Sequence, residues 1–190
     1  MEPLAVESLD PRTISSADEK SIAQLRQSVW VNSSEDGFLA EPFRPFWKAY
    51  SGSDAQAPAM FVIRYGRKVI ALAKTLPRII QPEGQAEMCV MGLASVCNAP
   101  DWRGRGLGKA VVRAALARVD KGDFEWAVFQ CPAGRQTFYE QFGVRRVQNR
   151  FFRTDRLGAG NNPFWDECAM CYPKRDGWPD VDIGVPSPGW

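Results

Sequence analysis

The chain has 190 residues, 45% of them hydrophobic and 24% charged, which gives room for one globular domain with a sizeable core. Its 24 basic and 22 acidic residues leave a net charge of +2, so the overall balance gives no electrostatic reason to expect nucleic acid or an anionic membrane as partner. There is no His, which excludes a Ser-His-Asp or Cys-His catalytic set and any His-ligated metal site. Proton transfer must fall to Tyr, Glu, Asp, Cys, Lys, backbone or water.

Five Cys do not read as a disulfide framework, and no apolar run resembles a leader or a bilayer span. A reducing, cytoplasmic setting is the expectation. Residues 1–16 are polar and Pro-broken, a flexible lead-in. Ser16-Ala17-Asp18-Glu19 then opens a helix with N-cap character and acidic first-turn residues, and Ile22, Leu25 and Val29 share one face. Residues 31–41 carry loop breakers, and Phe43, Phe46, Trp47 and Tyr50 follow at helical spacing. Met60–Tyr65 and Val69–Thr75 read as a hairpin turned at Gly66-Arg67. Gln85–Cys97 reads as a buried central strand with Gly92 inside it.

The densest signal comes next, at Arg103-Gly104-Arg105-Gly106-Leu107-Gly108-Lys109. Lys109–Asp120 is a helix with Val112, Leu116 and Val119 in one stripe, widened by Val111 and Ala115. Phe124–Gln130 is a strand, Gly134–Phe142 a short helix closed by Gly143, and Val144–Arg153 a further strand. Residues 154–165 read as a loop and Glu167–Tyr172 as a last strand. The domain therefore spans 17–172, with 173–190 an irregular, Pro-rich tail. Cys168 and Cys171 cannot close a four-ligand zinc site, and on a strand they point to opposite faces, so no metal is expected.

A glycine-rich loop between a buried strand and a helix start is an anion cradle. Glycine lets the backbone approach, the helix start points free N–H groups at the ligand, and Arg103, Arg105 and Lys109 add charge. The plain alternative is a glycine-rich turn with no ligand. Spacing rejects two rival loops. A nucleotide P-loop needs Gly where Arg103 stands and a hydroxyl where Ala110 stands. A dinucleotide fingerprint needs its third Gly at Lys109 and belongs in a first βαβ unit.

The segment Arg103 to Gly108 instead resembles the Arg/Gln-x-x-Gly-x-Gly/Ala signature of the GNAT N-acetyltransferases. Phe138-Tyr139-Glu140-Gln141-Phe142-Gly143 is similar to the second conserved block of that family, in the right order. The resemblance runs from about residue 60 to 153. It implies an α/β fold: a single domain whose mixed, mostly antiparallel sheet has two splayed parallel strands, with helices on both faces. It implies acetyl-CoA as cofactor, with the pyrophosphate on the backbone of Arg103, Gly104, Arg105, Gly106, Leu107, Gly108 and Lys109. A bulge near the end of the central strand would present Val96, Cys97 and Asn98 to the pantetheine arm. Tyr139 matches the family tyrosine that protonates the departing thiolate, since a phenol of pKa ~10 is neutral at physiological pH. The alternative is a core aromatic.

No base stands out. Glu87 is the nearest carboxylate but lies early in the strand. Glu140, water or a carboxylate at Trp190 are the others. For the acceptor, Glu35 and Asp36 beside Phe38 and Trp47 would suit a small-molecule primary amine with an apolar body, or else the aromatics are core. Nucleic acid and membrane partners are not expected, and a homodimer is compatible with the pattern. The rival function is a non-catalytic acyl-CoA-binding module of the same fold.

Overall fold

The computed structural model describes residues 4–30, 47, 49–156, 159–186 and 190. The chain divides into two units, residues 1–76 with 94–117, and residues 77–93 with 118–190. The described strands make a nine-stranded, mostly antiparallel sheet.

In the first unit, β1 (Val6–Leu9) pairs antiparallel with β2 (Ala59–Tyr65), which pairs with the start of β3 (Lys68–Pro82). Tyr65 faces Lys68 across the Gly66-Arg67 turn, where Gly66 takes φ +58°, so the hairpin forms as the sequence predicts. Helix α1 (Ser16–Val29) starts because the Ser15 side chain accepts the Asp18 amide. Its face of Ile22 and Leu25 is 3% and 4% exposed, and it packs with Trp47, Met60, Val62, Val69, Leu72 and Cys97. Ser21, on that face, accepts the Val69 amide at 2.8 Å, tying helix to strand. At the surface Arg64 bridges Glu7 and Asp18. The Arg64 hydrogen bond holds the Asp18 carboxyl below the usual carboxylate range, with Ser15 assisting.

The first unit also holds the end of β4 (Met88–Asn98), a 3-10 turn at Pro100–Trp102, and most of helix α2 (Leu107–Asp120). The stripe Val111, Val112, Ala115 and Leu116 is buried as its spacing predicts, and so is Val119, just inside the second unit.

In the second unit, β5 (Ala127–Cys131) runs parallel to β4 in the register Met91↔Ala127 and Gly92↔Val128. β5 also pairs antiparallel with β8 (Cys168–Tyr172), and β8 with β6 (Arg145–Arg146). A short helix α3 (Gln136–Glu140) follows β5, shorter than the expected Gly134–Phe142, with a turn behind it in which the Gly143 amide, φ +78°, donates to the Glu140 carbonyl. Trp126, Phe129, Met91 and Met170 are each under 2% exposed and form the core here.

Four segments differ from the sequence reading. Residues 1–16, read as a lead-in, contain β1. The segment read as one strand over Val144–Arg153 splits into β6 and β7 (Phe151–Arg153). Asn149 lies between them, donating to the Pro179 and Val181 carbonyls and accepting the Trp178 indole N–H, so the chain turns there instead of continuing a ladder. The tail read as irregular supplies β9 (Ile183–Val185), which pairs parallel with β7 and antiparallel with β3 at Gln81 and Pro82. Pro hides these strands from a reading by pattern, because it marks a chain as broken even where the remaining residues pair. β3 itself continues through Pro77 to Pro82, well past the expected end at Thr75.

Candidate active site

In the first unit, Gly104 and Gly106 hold φ +76° and +77°, and a Cβ built on either meets no atom within 4 Å. Glycine is therefore required by backbone conformation alone. Gly106 gives its carbonyl to the Ala110 amide, so the loop feeds directly into α2 and the helix N-terminus follows it. Gly108 serves differently: a Cβ there would stand 3.3 Å from Asn98 Nδ2, so the first turn of α2 packs closely on the end of β4. The Asn98 Oδ1 is buried with no hydrogen-bond partner among the described residues. Arg103, Arg105 and Lys109 are exposed. The Arg105 guanidinium lies 4.6 Å over the Trp102 ring, and Trp102 lies 4.8 Å from Tyr65, so one cation is held on an aromatic step beside the glycines.

A backbone irregularity lies late in β4, where the resemblance implies a bulge. Ser95 takes φ +52°, the one non-glycine residue in the left-handed region among those described. A serine there costs energy, roughly 1–2 kcal/mol, and local geometry must hold it. The turn changes the alternation of β4. Val96 is half-buried, while Cys97 goes into the core with Ile22 and Leu25. Burial pushes the Cys97 thiol up to about 12. Of the three residues the resemblance assigns to pantetheine, Cys97 has only its backbone to offer.

In the second unit, Tyr139 packs edge-on against Phe129 at 4.7 Å and Phe138 at 5.0 Å. The ring thus sits on β5, just past the pairing with β4, and is half-buried. Glu87 stands exposed ahead of β4, while the β4–β5 pairing lies at Met91 and Gly92. At ~3.3 Å per residue that is roughly 15 Å along the strand. Glu140 is exposed and accepts from Gln136 at 2.7 Å, facing solvent. Glu35, Asp36 and Phe38 lie outside the described residues. Trp47, grouped with them as an acceptor surface, is instead 3% exposed in the first unit's core, with the Lys74 ammonium 4.9 Å over its ring.

Sequence reasoning passes over Ser95, Gln130 and the indole of Trp190. Gln130, on β5, accepts the Trp165 and Asp166 amides at 2.8 Å and donates to the Trp190 backbone oxygen at 3.2 Å. No local pattern marks such contacts, since their partners are distant in the chain. Cys168 and Cys171 are both fully buried and free, and among the described residues no group of three or more Cys, Asp or Glu is placed to hold a metal. No helix among the described residues is long and apolar enough to cross a membrane.

A glycine-arginine loop at a helix start, a left-handed residue late in the preceding strand, and one parallel strand pair in a mostly antiparallel sheet characterise this α/β fold. The family model for the acetyltransferase (GNAT) domain matches residues 10–147, and the chain belongs to that family. Solved structures agree on the fold. An acyl-CoA N-acyltransferase from Pseudomonas aeruginosa superposes with TM-score 0.55 at 16% identity, covering 89% of this chain and 99% of that one. Glucosamine-6-phosphate N-acetyltransferase from Arabidopsis thaliana gives 0.56 at 18% identity, covering 78% and 96%. A GCN5-related N-acetyltransferase from Kribbella flavida gives 0.53 at 22% identity over 75% of this chain, and the chain spans only 33% of that protein. No curated protein matches the chain.

Proposed function

We propose that the protein transfers an acetyl group from acetyl-CoA to the primary amine of a small molecule. The observation that carries this reading is the loop from Arg103 to Lys109, with Gly104 and Gly106 at positive φ and three exposed cations at the start of α2. These residues suit a pyrophosphate: backbone N–H groups to hold its oxygens, and charges to neutralise it. Asn98, with its buried Oδ1, and the backbone around Ser95 suit an arm rich in amides, such as pantetheine. When bound, acetyl-CoA supplies a thioester whose acyl carbon an amine can attack. In this reading the chain's own part is to hold the anion, to orient the thioester along the strand edge, and to deliver a proton from the Tyr139 hydroxyl to the departing sulfur. The deprotonation of the amine is assigned to neither Glu87 nor Glu140. Proteins of similar structure are named as an acyl-CoA N-acyltransferase and an N-acetyltransferase, which supports the same class of reaction.

The test is a panel of primary amines incubated with acetyl-CoA, read by release of free thiol and by mass of the product. Amine-dependent thiol release is expected. Tight CoA binding with no turnover on any amine would replace the enzyme with a non-catalytic acyl-CoA-binding module of the same fold.

A further inference from the structure

Within the first unit, the turn that closes the β2–β3 hairpin lies beside the glycine loop. The Ala99 amide donates to the Ile70 carbonyl at 2.8 Å, which ties the end of β4 to the start of β3. The 3-10 turn that follows is fixed by its own backbone, Trp102 donating to Ala99 at 2.9 Å and Arg103 to Pro100 at 3.2 Å. Tyr65, the last residue of β2, meets Trp102, the last residue of that turn, with ring centroids 4.8 Å apart and planes tilted by 47°. The Arg105 guanidinium lies over the same indole at 4.6 Å, coming from between Gly104 and Gly106. Three flat groups therefore meet here, one each from hairpin, turn and loop.

This cluster is not core. Met60, Phe61, Val62 and Ile63, earlier in β2, are at most 8% exposed, whereas Tyr65 is 54% exposed. Its ring is supported by Trp102 and otherwise left to solvent. The surroundings are cationic: Arg67 and Lys68 are exposed in the hairpin, and Arg103, Arg105 and Lys109 in the loop. Asp101 is the one carboxylate in residues 65–68 and 99–109. The backbone beside the cluster is open too, since a Cβ on Gly104 or Gly106 would meet no atom within 4 Å. An open aromatic face next to cations and uncovered backbone suits a ligand that joins a flat base to phosphate groups.

We propose that Tyr65, backed by Trp102, is the stacking platform for the adenine base of CoA. This rests on the acyl-CoA reading above. In CoA a single ribose separates the pyrophosphate from the base, so a pyrophosphate on the Arg103–Lys109 backbone leaves the adenine within reach of rings that border the same loop. Stacking uses the π-face of the base, and the Arg105 cation adds attraction at the edge of the platform.

The experiment is calorimetric titration of CoA, and of a CoA analogue in which hydrogen replaces the adenine, into wild type, Tyr65→Phe, Tyr65→Leu and Tyr65→Ala. The analogue keeps both the pyrophosphate and the pantetheine arm. Wild type is expected to bind CoA about tenfold more tightly than the analogue, the range for one stacked base. Tyr65→Phe should keep that preference. Tyr65→Ala should bring the two ligands to within about twofold by weakening CoA alone, and Tyr65→Leu should lose most of the preference. Leu keeps apolar bulk against Trp102, so it carries the test if the Ala variant does not fold. A wild-type preference retained in a folded Ala or Leu variant overturns the proposal. So does a wild type that binds both ligands alike, or a variant that weakens both equally, which would make the ring a support for the loop. Wild type failing to bind either ligand overturns the acyl-CoA reading, and this inference with it.

Discussion

At Gly106 a Cβ would meet nothing within 4 Å, and the residue is glycine because φ is +77°. At Gly92 the opposite holds: no positive φ is present, and a Cβ would run into the Trp190 indole at 2.6 Å. The first glycine belongs to an exposed loop of the first unit, where the backbone faces outward with Arg103, Arg105 and Lys109 around it. The second lies in a strand of the second unit, where another part of the same chain has filled the space. Missing side chains serve backbone conformation in one region and packing in the other. Substitutions should therefore affect ligand affinity in the first region and stability in the second, and experiments can separate the two.

The largest effect is expected on the chemistry, from Tyr139→Phe. The ring keeps its contacts with Phe129 and Phe138, and only the hydroxyl goes. Turnover with the best amine should fall ~10²–10⁴-fold, the range for a positioned general acid, while acetyl-CoA binds as before. Steady-state kinetics beside calorimetry would show it, and an unchanged kcat would remove Tyr139 from the reaction.

Gly92→Ala should act on stability. Forcing a Cβ against a buried indole is overpacking, which costs about 1–3 kcal/mol. Chemical denaturation should show a lower midpoint with an unchanged slope. In a Trp190→Ala background the same substitution should cost much less, since the clash is gone. Equal costs in the two backgrounds would mean that the indole is not what Gly92 accommodates.

A control outside both regions should give the smallest effect. Asp18→Asn breaks the ion pair with Arg64 at the start of α1. The pair is near the surface, so the loss should be about 0.5–1 kcal/mol at neutral pH. Because the Asp18 carboxyl is held below its ordinary range in the folded protein, the wild type has this stability above the unfolded carboxylate pKa and loses it as pH falls through the folded value. The difference between wild type and variant should therefore shrink in acid. A gap that stays constant down to pH ~2 would show that the ion pair is not its source.

The two regions also differ in how far they can be read from the sequence. The loop is legible because its requirements are local: glycines at short spacing, cations between them, a buried strand before and an amphipathic stripe after. The hairpin at Gly66 is legible for the same reason, and so is the glycine turn that follows α3 at Gly143. Tyr139 is picked out by its neighbours in the chain, and its ring packs against Phe129 of β5. The contact of Trp190 with Gly92 is not legible, since the two residues stand far apart in the chain and the bonds of Trp190 go to the Val128 carbonyl and to Gln130. Ser95 is hidden too, because nothing in a run of apolar strand residues announces a left-handed turn. Trp47 reads wrongly as acceptor surface because an aromatic at helical spacing looks the same whether it faces a ligand or a core. β9 escapes notice because the prolines around it mask a short strand that joins late, against β3 and β7.

The central claim is that the loop from Arg103 to Lys109 holds the pyrophosphate of CoA through its backbone. Equilibrium titration of CoA, ATP and NAD into the wild-type protein and into Gly106→Val tests it most directly. Valine at φ +77° is strained by ~1–2 kcal/mol at an exposed position, which leaves the rest of the fold standing and can be checked by circular dichroism. The account predicts that wild type binds CoA well ahead of ATP and NAD, and that the folded valine variant binds CoA at least about tenfold more weakly. Wild-type affinity for CoA in the folded variant, or ATP or NAD bound as tightly as CoA, would contradict it.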